Sequence, residues 1–200
     1  MKKLLQINAS LFSSDGQSSR LANQFVAAWR DRNPDSEILT RDFAREPIPH
    51  LDADRFQAFL TPADARSPEQ TEVVDFSDML IRELSEADVV VIGLPMYNFG
   101  IPSTLKAYFD HVARAGMTFR YTENGPEGLL QGKRVYVLAA RGGYYAGTAL
   151  DSQTGYMRDF LGFLGMTDVE FVYAEGLNID ESSKQTSLAE AEQRLANLVA

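Results

Sequence analysis

The run VVVIGLP at residues 89–95 limits the fold more than any other stretch. It carries no charge and offers apolar side chains to both faces. A sheet wet on one side would alternate apolar and polar residues, so the stretch Asp88–Leu94 reads as a central strand of a parallel sheet covered twice by helices. Strands of the same kind are expected at Leu4–Ile7, Val135–Ala139 and Val169–Tyr173, with a weaker one at Glu37–Arg41. Between them apolar residues recur at helical spacing. Leu21, Phe25, Ala28 and Trp29 mark a helix that Ser18 or Ser19 is expected to cap. Val73, Phe76, Leu80, Ile81 and Leu84 mark a second, and Leu105, Tyr108, Phe109 and Val112 a third. Further helices are read over Tyr156–Leu164 and through Leu188, Ala191, Leu195, Leu198 and Val199.

Two segments interrupt the alternation. Residues 43–68 contain Pro47, Pro49, Pro62 and Pro68 and read as an irregular connection with one short helix near Arg55–Leu60. Residues 117–132, MTFRYTENGPEGLLQG, read as an extended excursion that returns at an Asn124-Gly125 turn. Five strand–helix units predict an α/β three-layer sandwich of the flavodoxin-like kind, one domain over residues 1–200, with a parallel sheet in the order 2-1-3-4-5. Ligands of such sheets sit beyond the carboxyl ends of the strands. Strands one, three and four are neighbours in that order. The segments that follow them, ASLFSSDGQSS, PMYNFGIP and ARGGYYAG, are therefore expected to meet at one crevice.

Each segment has a distinct chemistry. SSDGQSS offers hydroxyls, a glycine and main-chain N–H groups where a helix begins, which suits an anion held by dipoles. An ordinary helix cap has the same composition, and Asp15 must face solvent for an anion to bind. PMYNFGIP offers flat side chains and an amide but no acid or base, so any hard chemistry there belongs to a cofactor. ARGGYYAG allows close main-chain approach at Gly142 and Gly143, beside Arg141. Anion seat, aromatic platform and glycine edge together describe a mononucleotide with a large planar ring, for which FMN is a better resident than NAD.

What the chain lacks narrows the field. It has no cysteine, which excludes thiolate metal sites and redox dithiols. Its formal net charge of −9 disfavours nucleic acid and anionic membrane as partners. No segment approaches the roughly 20 apolar residues needed to cross a bilayer. MKKLLQINAS is read as the first strand because Gln6 and Asn8 break its apolar run, and a cytoplasmic location is expected. His50 and His111 lack partners at metal spacing, so surface or packing roles are expected and no metal site is assigned. Asp110 and Arg114 stand four apart and read as a surface ion pair. Trp29 reads as core, and Glu190, Glu192 and Arg194 as a solvated helix face. HExxH, GxSxG and Walker patterns are absent.

The segments PMYNFGIPSTLKAYFDHVARAGMTFRYTENGPEGLLQGKRV and FLGFLGMTDVEFVYAEG resemble the bacterial FMN-dependent NADH-azoreductases, also described as quinone reductases. The likeness extends along almost the whole chain. It implies a homodimer with active sites at the interface, NADH or NADPH as co-substrate, and azo compounds and quinones as acceptors. It implies FMN contacts from Ser10, Gly16, Gln17 and Ser18 at the phosphate, from Met96, Tyr97, Asn98 and Phe99 along the ring, and from Ala140, Arg141, Gly142 and Gly143 opposite. Gly16 and Ala140 depart from the serine common at those places, so contact there falls to the main chain. Tyr121 and Phe163 match aromatics that line the substrate face. Tyr144 and Tyr145 lie in a variable stretch. No catalytic side chain is implied. The alternative expectation is a flavodoxin-type electron carrier, against which the aromatic excursion at 117–132 counts.

Overall fold

A computed structural model describes residues 1–199. Its centre is a five-stranded parallel sheet made of β1 (Lys3–Asn8), β2 (Glu37–Asp42), β3 (Val89–Pro95), β6 (Arg134–Ala140) and β7 (Asp168–Ala174). The order across the sheet is β2-β1-β3-β6-β7, the predicted 2-1-3-4-5 once a separate hairpin of β4 (Phe119–Thr122) and β5 (Gly125–Gly128) is set aside. Pairing along β3 runs from Val89 opposite Arg134 to Pro95 opposite Ala140, so β3 and β6 end level.

Side chains of successive strand residues enter opposite layers. Leu5, Ile7, Val90, Ile92, Leu94, Val135 and Val137 meet α3 (Pro68–Glu86), α4 (Ser103–Val112) and α5 (Ser152–Phe163). Leu4, Val91, Tyr136, Leu138 and Val172 meet α1 (Gln17–Arg32) and α6 (Glu181–Val199), with Phe25 and Trp29 buried among them. This is the period of two of a strand buried on both faces. Each fully buried aliphatic side chain contributes about 2 kcal/mol, which holds the helices against the sheet.

Several local expectations need correction. Helix α1 starts at Gln17, and its N-cap is Gly16, with no side-chain cap. Ser18 and Ser19 lie inside the first turn and are buried. Helix α3 starts at Pro68, where the missing N–H costs nothing, behind a reciprocal Ser67–Gln70 capping box. Its buried valine is Val74, not Val73. A short helix α2 spans Ala53–Leu60, capped by Asp52. Helix α5 begins four residues before Tyr156 because the Asp151 carboxylate accepts from the N–H groups of Gln153 and Thr154. The hairpin turn is centred on Glu123-Asn124, since Gly125, at φ +104°, already pairs with Thr122. The Asp110–Arg114 pair does not form: Lys106 takes Asp110, and Arg114 reaches across to Asp78.

Candidate functional site

Beyond the carboxyl ends of β1, β3 and β6 lies a cleft of about 260 Å³. Ser10, Gly16, Gln17 and Ser18 line one side, Met96 and Tyr97 the next, and Ala140, Arg141 and Gly142 the third. The three segments therefore meet. Asn98, Phe99 and Gly143 lie outside the lining. Phe99 instead forms a wall of an adjoining apolar cavity of about 420 Å³, with His50, Ile101 and Tyr156.

The first segment is tied down by a short 3-10 turn at Ser13–Asp15, with Ser13 Oγ donating to the Asp42 carboxylate at the end of β2. Asp15 is exposed, as an anion seat requires. Gly16 fits against Ser10 so closely that an added Cβ would lie 2.1 Å from Ser10 Oγ. The first N–H groups of α1 open here and carry its positive dipole end. Ser18 Oγ and Ser19 Oγ are buried without any partner. Of these two, Ser18 borders the cleft.

The second segment forms a tight turn. Tyr97 and Gly100 exchange N–H···O bonds of 3.2 and 2.9 Å. Between them Asn98 and Phe99 take φ +50° and +62°, the left-handed pair of a type I′ turn. Asparagine tolerates this region, whereas phenylalanine pays roughly 1 kcal/mol. Tyr97 Oη accepts from Leu11 N–H at 3.2 Å, which ties the turn to the first segment.

The third segment offers the cleft main chain rather than the charge of Arg141. The Arg141 side chain does not face the cleft. It is fully buried, with Nη2 2.9 Å from Asp151, Nη1 3.1 Å from Glu175, and its guanidinium over the Tyr173 ring. Burial alone would raise the Asp151 carboxyl, but hydrogen bonds from Thr154 and Arg141 outweigh it and hold it below the usual range. Only the main chain of Arg141 is left to border the cleft. The Gly142 and Gly143 carbonyls accept from Asn178 and Gly176, whereas their N–H groups have no acceptor among the described residues.

Leu177, Asn178 and Lys184, which follow β7, also line the cleft, as do Phe12 and Pro95. Lys184 is a full positive charge where only dipoles were expected. Its Nζ lies 3.6 Å from Glu181 and its side chain is half-buried. The rule that ligands sit beyond strand carboxyl ends could have found this segment, because β7 ends level with β6.

Tyr121 and Phe163 are not brought to this cleft. Both pack on Phe119, with ring centroids 5.6 and 4.4 Å away, where the hairpin meets the far end of α5. His111 is buried edge-on to Phe59 and Phe76, with Nε2 3.0 Å from the Pro49 carbonyl; burial lowers its pKa. Among the described residues, no group of acidic or histidine side chains could hold a metal, and no helix is long and apolar enough to cross a membrane.

A doubly covered parallel sheet with a dipole-lined cleft at its carboxyl edge defines a nucleotide-binding α/β protein. The family model described as a flavodoxin-like fold (Flavodoxin_2) matches residues 2–199, and the chain belongs to this family. A relative from Cellvibrio japonicus (strain Ueda107), named FMN-dependent NADH:quinone oxidoreductase, is 56% identical over 98% of this chain and 100% of its own. Another of that name, numbered 6, from Burkholderia lata, is 55% identical over 98% of this chain and 99% of its own. Among solved structures, an azoreductase from Bacillus anthracis strain Sterne superposes with TM-score 0.91 at 28% identity, covering 100% of this chain and 99% of its own. An FMN-dependent NADH-azoreductase from Bacillus anthracis strain Ames Ancestor, solved in complex with FMN, gives 0.89 at 28% identity and covers 100% of both chains.

Proposed function

We propose that the protein is an FMN-dependent oxidoreductase that takes hydride from NADH and delivers it to quinones and azo compounds, the two substrates using one site in turn. The observation that carries this reading is Ser18 Oγ. A buried hydroxyl without a partner is costly unless a ligand completes it, and Ser18, whose Oγ lacks a partner, belongs to the lining of the cleft at the head of α1. The donor set fits a phosphate: Ser10, Gly16, Gln17 and Ser18 would hold it with hydroxyls and helix N–H groups, backed by Lys184. Met96, Tyr97, Asn98 and Phe99 would border the ring, with the Asn98 N–H as donor at its reactive nitrogen. Ala140 and Arg141 contribute main chain. The free N–H groups of Gly142 and Gly143 would stabilise negative charge at the opposite edge.

Bound FMN supplies the hydride relay, and the chain binds, orients and excludes water. Tyr97, Phe99, Tyr121 and Phe163 would give flat acceptors apolar walls. Tyr121 and Phe163 lie far from their own chain's cleft, so these walls require a homodimer with sites at the interface. A pyridine-nucleotide donor fits a cytoplasmic location. Initial rates at varied NADH and benzoquinone should give parallel reciprocal lines, and intersecting lines would exclude alternation at one site. Stopped-flow bleaching of the yellow protein by NADH alone separates this reading from an electron carrier, which would need a separate reductase.

A further inference from the structure

Gln153 lies at the start of α5 and is fully buried. Its amide is satisfied from three sides. Nε2 donates to the Pro95 carbonyl at 2.9 Å and to the Gly100 carbonyl at 3.0 Å. Oε1 accepts from Arg141 Nε at 3.2 Å. The orientation of the amide follows from chemistry, because a guanidinium only donates and a carbonyl only accepts. Pro95 ends β3 just before the strained turn that carries Asn98 and Phe99, Gly100 closes that turn, and Arg141 opens the glycine segment. One side chain therefore joins the two main-chain walls of the cleft without touching it.

We propose that Gln153 is a positioning residue that sets the spacing of the Asn98 turn against the Gly142–Gly143 edge. This rests on the FMN reading given above. The site needs one acceptor and two donors on a single side chain of this length, and glutamine alone among the common residues carries them there. Left-handed φ at Phe99 persists only where the surroundings over-determine it. Tyr97 and Gly100 close the turn across its neck, and Gln153 closes it again from below, fixing where its tip points.

The isosteric substitution Gln153→Glu separates the two halves of the role. A carboxylate still accepts from Arg141 but faces the Pro95 and Gly100 carbonyls with no donor. Gln153→Met loses both halves. If Gln153 positions the turn, both variants raise the FMN dissociation constant of the apoprotein about tenfold, the cost of one lost buried hydrogen bond, and the Glu variant is no better than the Met variant. The midpoint potential of the bound flavin falls with them, by about 30 mV for a tenfold loss in preference for the reduced form. A Glu variant with wild-type affinity and potential would reduce Gln153 to a partner of Arg141 and overturn the proposal. Hydrogen exchange on the wild-type apoprotein gives a second test independent of how the variants fold. The Tyr97 and Gly100 amides should exchange as slowly as those of β3, and rapid local exchange would also overturn it. Should wild-type apoprotein fail to take up FMN, the functional reading falls, while the exchange result still decides whether Gln153 clamps the turn.

Discussion

Ser18 and Ser19 are neighbours with the same chemistry and different surroundings. Both hydroxyls are buried and unpartnered, but only Ser18 borders the cleft. An orphaned buried hydroxyl costs about 1 kcal/mol or more. Replacing either serine by alanine should therefore raise apoprotein stability by about 1 kcal/mol, read by chemical denaturation. The two variants should part at the cofactor: Ser18→Ala weakens FMN binding about tenfold, whereas Ser19→Ala leaves it unchanged. Equal affinity in the two variants would remove Ser18 from the phosphate seat. Arg141 illustrates the converse. An arginine beside two glycines reads as facing a ligand, but its partners Asp151 and Glu175 arrive from elements that only the fold brings near.

Strands were legible because burial on both faces leaves one kind of signal, an uninterrupted apolar run, and VVVIGLP carries it fully. Their order followed from the count and gave the meeting of three segments. Helix starts were less legible. Serine at positions 18 and 19 satisfies the cap preference, yet Gly16 can press against Ser10 and so begins the helix earlier. Lys184 escaped because it belongs to α6, where a lysine near an acidic first turn looks like ordinary solvated charge. Docking of the hairpin was also invisible, since it depends on two glycines far apart in sequence. A Cβ on Gly128 would lie 2.0 Å from the Gly165 nitrogen, so main chain meets main chain there. Gly128→Ala should cost about 2 kcal/mol by forcing the hairpin off α5. FMN affinity should be retained, because the cleft lies at the other end of that helix, while KM for a quinone rises as Tyr121 moves. A loss of FMN binding in this variant would show the hairpin and the cleft to be one structural unit.

At the scale of the whole molecule the direction of α5 sets the hairpin aromatics apart from the cleft. The helix starts at Ser152, by the cleft, and runs back along the sheet to Phe163, about 16 Å away at 1.5 Å per residue. Phe119 and Tyr121 gather at that far end, with Tyr121 75% exposed. Exposed Leu11 and Phe12 follow β1 at the opposite end, with Phe12 on the cleft itself. If Tyr121 and Phe163 wall the acceptor site beside Tyr97 and Phe99, they would come from a second copy, in a self-complementary two-fold pairing. Two crippled chains should then rescue each other. Ser18→Asp sets a carboxylate against the phosphate seat and leaves the hairpin intact. The double variant Tyr121→Ala with Phe163→Ala keeps the cleft and loses the walls. Each alone should be nearly inactive with a quinone. Mixed by unfolding and refolding together, half the dimers are mixed and each holds one complete site, so activity should return to about a quarter of wild type. A mixture no more active than the mean of its parents would mean that each chain builds its own walls, and that the dimer plays no part in the chemistry.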